Sequence, residues 1–175
     1  MTGLSKETLL PRLAAHLLDQ GLAGASLRPM ARAAGTSDRM LIYHFGTKEE
    51  LIVETLGVVA ADLSARLDTA LPPGPANDMA TLAGQVLMVI RAPAAAGHFR
   101  IWLEVLSDPE RQALAGAILD GFHGWVAAHL PQGLPDPEGS AAALLTFVEG
   151  AVILEAAGRG AVTDRAIGAL FGSKD

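Results

Sequence analysis

Three helix-start signals fall between Ser26 and Thr47 of this 175-residue chain, and that crowding limits its fold more than any other feature. Ser26 suits the N-cap of a short helix through Ala34, with Pro29 in the first turn, where a missing N–H costs little, and Gly35 just past the end. Ser37 caps a second short helix, Asp38 to His44, and Thr47-Lys48-Glu49-Glu50 reads as the capping box of a third.

The rest of the chain carries the same helical signature. Leu10, Leu13, Ala14, Leu17 and Leu18 have amphipathic spacing, closed by Gly21; Pro11 predicts that the regular helix begins near Thr8 or is kinked. Ile52, Leu56, Val59, Leu63 and Leu67 continue the third helix down one face from Lys48 to Ala70, and Leu71-Pro-Pro-Gly-Pro stops it. Asp78 can cap a helix carrying Met79, Leu82, Val86, Val89 and Ile90. Pro93 separates it from one carrying Phe99, Trp102, Leu103 and Leu106. Asp108-Pro109-Glu110 and Asp136-Pro137-Glu138 each combine an N-cap, a proline and a first-turn acid, and Thr163-Asp164 begins a last helix to Phe171. Ala and Leu number 58 against 17 for Val and Ile, which favours helix over strand. The expectation is an all-α protein of about nine helices, without strands or internal repeats.

Several chemistries are excluded. With no cysteine, thiolate metal sites and cysteine nucleophiles are impossible. There is no HExxH, nucleophile elbow or P-loop. Asp120 and His123, at i and i+3, are the one pair resembling an acid–base or metal set, so no enzyme activity, cofactor or metal is expected. The amino terminus lacks the basic and apolar segments of a secretory signal, which predicts a cytoplasmic protein. The longest uncharged stretch, Gly121 to Pro135, has 15 residues, two prolines and two histidines, so no membrane partner is expected.

The net charge of −6 is unevenly spread. Residues 1–56 are neutral overall, while Ser26 to Lys48 holds Arg28, Arg32, Arg39 and Lys48 against Asp38 alone, a local +3 suited either to phosphates or to an ordinary solvated face. Ala31 and Gly35 stand four apart, as a helix-turn-helix requires: a small residue for close helix approach and a glycine for the turn. The following string, Gly35-Thr-Ser-Asp-Arg-Met-Leu-Ile-Tyr-His-Phe-Gly-Thr-Lys-Glu-Glu-Leu51, turns Leu41 and Phe45 inward and leaves the other side chains of the second helix for a groove or rim. Together with the helix from Leu10 to Gly21, this segment resembles the amino-terminal domain of the TetR family of bacterial repressors over about residues 9–56. The shared features are Gly-x-Ser-x-x-x-Leu, the aromatic/His-Phe ending and Lys-Glu-x-Leu. Two positions depart from the family: Arg39 stands where a small residue is usual, and Ile42 where a phosphate-binding tyrosine is usual, with Tyr43 one place later.

The resemblance implies that Arg28 and Lys48 anchor phosphates, with Ser26, Thr36, Ser37, Tyr43 and His44 adding backbone contacts. Arg39 can bond guanine O6 and N7 or a phosphate. Asp38 can accept from a cytosine amine or stabilise its helix start, Met40 can touch a thymine methyl, and His44 has the alternative of a packed rim. It further implies a helix-turn-helix domain over 1–50 and a ligand-binding and dimerisation domain over 51–175. In the latter, Met88, Phe99, Trp102, Leu103, Phe122, Trp125 and Phe147 are either effector-pocket lining or core, and His98, Glu104, Asp120 and His123 are the polar groups a pocket has to hand. The helix Ala141 to Leu154 is apolar on more than one face, which predicts burial all round. The resemblance places Leu144, Leu145, Val148, Ala151, Val152 and Ile167 at a homodimer interface. The expected protein is a homodimeric DNA-binding regulator, a repressor of a palindromic double-stranded operator relieved by a small molecule. The rival is a helical carrier or enzyme that does not bind DNA.

Overall fold

The computed structural model describes residues 5–172, and among them nine α-helices and three short 3-10 turns form all of the regular structure. The helices are α1 (Lys6–Gln20), α2 (Leu27–Ala34), α3 (Asp38–Phe45), α4 (Lys48–Ala70), α5 (Met79–Arg91), α6 (Ala96–Leu106), α7 (Gln112–His129), α8 (Pro137–Ala156) and α9 (Gly160–Phe171). The all-α expectation holds.

Two units divide the chain by packing. The first runs to Leu63 and takes in Gly97–Ala115; the second takes Ser64–Ala96 and the residues from Gly116 onward. In the first, Leu9, Leu13, Leu17, Met30, Leu41, Leu51, Ile52 and Leu56 are essentially inaccessible and share one core with Ile101, Val105 and Ala115. α1 starts at Lys6, so Pro11 lies inside the helix rather than near its start. Its ring is exposed, where water can satisfy the carbonyl that loses its partner. The buried stripe is Leu9, Leu13, Ala14 and Leu17; Leu10 and Leu18 lie half-buried at its edges.

α6 grips the end of α1. Gly97 lies so close that a Cβ there would be 2.5 Å from the Leu18 carbonyl oxygen. Arg100 donates to the carbonyls of Leu18 (2.7 Å) and Asp19 (3.0 Å), and Glu104 accepts from the Leu22 N–H (2.5 Å). A cation on the last carbonyls of a helix meets the negative end of its dipole. The buried side of α6 carries His98, Ile101 and Val105, not the expected Phe99, Trp102, Leu103 and Leu106 stripe, whose first three members are half-buried and whose last is exposed. His98 Nε2 lies 2.8 Å from Asp62 Oδ2 on α4.

In the second unit α5, α8 and α9 pack pairwise. By length and mean hydropathy (1.5) α8 qualifies as a bilayer-crossing helix, but Ala141, Leu144, Phe147, Val148, Ala151 and Val152 form its buried stripe within this helical core. It is not buried all round: Ala142, Ala143, Thr146 and Ile153 are exposed. Arg91 ties the three helices together through Glu155 (2.7 Å) and Asp164 (2.8 Å). These carboxylates, Glu155 foremost, raise the guanidinium pKa. α9 begins three residues before the expected Thr163-Asp164 start. Thr163 is buried and donates to Glu155, and Asp164 accepts from Arg91, so neither is left to cap the helix.

Candidate nucleic-acid interface

The turn between α2 and α3 is set by Gly35, whose φ of +72° and ψ of +35° lie in the left-handed region that favours glycine. With it, the N–H groups of Gly35 and Thr36 reach back to the carbonyls of Arg32 (3.2 Å) and Ala31 (2.9 Å) and close α2. Arg12 adds a bond from α1 to the Ala34 carbonyl (3.0 Å). Met30, Ala31 and Ala34 are buried on α2, and the small Ala31 side chain permits the close approach anticipated from its spacing.

α3 is fixed at both ends. Ser37 Oγ accepts from the Met40 N–H (3.3 Å), and Gly46, at φ +84°, ends the helix with its N–H on the Ile42 carbonyl. The capping box of α4 is complete: Thr47 N–H donates to Glu50 Oε2 (2.8 Å), and Glu50 N–H donates to Thr47 Oγ1 (3.1 Å). These bonds, that of the Thr47 side chain first, hold the Glu50 carboxyl below its ordinary pKa. Ser26 occupies the N-cap position of α2 without a side-chain capping bond.

On this frame Leu41 and Phe45 point into the core, and Asp38, Arg39, Ile42 and Tyr43 point out. Asp38 and Arg39 are exposed, Tyr43 is 78% exposed, and Met40 is half-buried. His44 is half-buried with its ring edge-on to Tyr43, centroids 5.2 Å apart. Ser26, Arg28, Ser37 and Lys48 are exposed and Thr36 half-buried, so all ten residues expected to meet DNA lie within α2, α3 and their flanks. Among the described residues, Arg28, Arg32, Arg39 and Lys48 form no ion pair, whereas Lys6 is held by Glu54 at 2.6 Å and lies over the Phe45 ring. Unpaired cations on a rigid frame are what a polyanion requires. Arg32, counted in the sequence within the local +3, and Ile42, left there for a groove or rim, were given no individual role; both are exposed, Arg32 one helical turn from Arg28.

The other expected site residues are dispersed. Phe99, Trp102 and Leu103 belong to the first unit, whereas Met88, Phe122, Trp125 and Phe147 belong to the second. Met88 is exposed, and Phe147 is buried with its ring edge-on to Phe171. Trp125 stacks between Phe122 and His129 and donates to Asp68 Oδ1 (2.6 Å). A pocket of about 60 Å³ in the second unit is lined by Leu71, Asn77, Thr81, Gln85, His129 and neighbouring residues, none of them expected effector contacts. Leu144, Val148, Ala151 and Val152 are buried within their own protomer, and Leu145 and Ile167 are half-buried. Among the described residues no group of three or more His, Asp or Glu is arranged to hold a metal.

Residues 12–55 match the family model of bacterial regulatory proteins, tetR family. Among solved structures, the multidrug binding protein EbrR, in complex with imidazole, is similar at 18% identity and a TM-score of 0.67, over 97% of this chain and 90% of that one. A transcriptional regulator from Rhodococcus sp. Rha1 shares 24% identity (TM-score 0.66; 98% and 100% covered). The SCO7518 protein from Streptomyces coelicolor A3(2) shares 21% (TM-score 0.72; 96% and 98% covered). No curated protein matches.

Proposed function

We infer, for a chain whose residues 12–55 belong to the tetR family of bacterial regulatory proteins, that it is a DNA-binding transcriptional regulator working as a cytoplasmic repressor. The observation that carries this reading is the set of cations without an ion pair among the described residues, Arg28, Arg32, Arg39 and Lys48, around a helix-turn-helix whose turn and α3 caps are satisfied within the protein. Arg28 and Lys48 hold phosphates, with Ser26, Thr36, Ser37, Tyr43 and His44 beside them. Arg39 reads guanine, and Asp38 and Met40 flank it.

Two protomers bind a palindromic operator, because a two-fold pair presents two α3 helices to successive major-groove faces. The pair meets through the open sides of α8 and α9, where Ile153, Val162 and Leu170 are exposed and Leu145 and Ile167 half-exposed. The buried Leu144, Val148, Ala151 and Val152 stiffen that surface from behind. A small molecule relieves repression by favouring a head spacing unsuited to the operator. Likeness in fold to a multidrug binding protein supports an organic effector. By function the division is 1–50 for DNA and 51–175 for effector and partner.

The test is nuclease footprinting and salt titration on the DNA upstream of the protein's own gene. A protected palindrome with a steep salt slope is expected; a shallow slope with no sequence preference would overturn the reading.

A further inference from the structure

We propose that Ile42 reads a thymine methyl group in the operator half-site, a role that deepens and rests on the DNA-binding reading above. Between residues 5 and 50 the exposed large apolar side chains are Ile42 (37%) and Tyr43 (78%), adjacent on α3. Tyr43 has a hydroxyl for a phosphate or water. Ile42 has only hydrocarbon, and the core contacts of α3 are already made by Leu41 and Phe45. An apolar group left in water on a helix otherwise bounded by polar and cationic side chains is satisfied by an apolar feature of the partner. In the major groove that feature is the C5-methyl of thymine.

Position supports the same partner. Ile42 follows Asp38 by four residues and Arg39 by three, so the three exposed side chains share one side of α3. Arg39 and Ile42 are separated along the helix axis by about 4.5 Å, close to the roughly 3.4 Å base spacing of one strand. A guanidinium on a guanine therefore sets Ile42 one base step away. Arg28, Arg32, Arg39 and Lys48, which form no ion pair among the described residues, suit this surface to a polyanion.

The experiment begins with a duplex selected from a random library by the full-length protein. Each thymine of the half-site is then replaced by deoxyuridine, which keeps every hydrogen-bonding group and removes only the methyl. For the wild type, one replacement should weaken binding about fourfold, the worth of one buried methyl-sized group. Ile42→Ala should bind the intact duplex correspondingly less well and be indifferent to that replacement. A selected duplex with no methyl-sensitive thymine, or one equally sensitive in Ile42→Ala, assigns the contact elsewhere and overturns the proposal while DNA reading stands. Failure to select any sequence would overturn both.

Discussion

Lys48 and Arg39 are both exposed cations of one surface, yet their removal should read differently. Lys48→Ala should weaken binding to all sequences alike and lower the salt slope by about 1, whereas Arg39→Ala should cost about 1–3 kcal/mol at a single base pair. Fluorescence anisotropy at several salt concentrations separates the two. Glu50 carries a pH signature. Its carboxyl is held below the ordinary value by Thr47, so its contribution is full at neutral pH and fades as the pH falls below about 4.5 and through the depressed native value. The stability of the wild type over Glu50→Gln, measured by thermal denaturation, should shrink along that path. Caps such as Ser37, Thr47, Asp78 and Asp136 were legible in the sequence because donor and acceptor lie within three residues. Thr163 and Asp164 were not, since their bonds go to Glu155 and to Arg91, the latter 73 residues away.

At the scale of the helix, α6 shows what periodicity leaves open. Its aromatic stripe and its His98, Ile101, Val105 stripe are both apolar enough to face a core. The choice is made by α1, whose terminal carbonyls draw in Gly97 and Arg100 and so rotate the second stripe inward. No local pattern contains that information. Gly97→Ala should therefore destabilise by about 1–3 kcal/mol through overpacking against backbone that cannot yield. Gly84→Ala, at a helical position with nothing within 4 Å of the added carbon, should stabilise by about 0.5–1 kcal/mol. Midpoints in urea give both values. The recognition segment was more legible than α6 because α2, the turn and α3 are consecutive, so spacing alone sets which residues meet.

For the molecule as a whole, the open sides of α8 and α9 make a sharp prediction. Ile153 and Leu170 are 58% and 64% exposed, so aspartate at either position should leave the protomer folded. In the proposed dimer each would bury a charge, and Ile153→Asp or Leu170→Asp should yield monomers that bind the operator far more weakly. Light scattering and anisotropy check this. The number of helices and the absence of strands among the described residues were readable from composition and caps. That residues 97–115 return to the first core was not, because the contacts joining them to α1 cross about 80 positions.

That return has a consequence for biosynthesis. Translation delivers α1, α2 and α3 to the cytosol before Ile101, Val105 and Ala115 have been polymerised, so the nascent head emerges with part of its interior missing. It reaches its mature packing only once the ribosome has moved well past Ala115. Until then, the core of the helix-turn-helix lacks the apolar partners that Ile101, Val105 and Ala115 will bring to it.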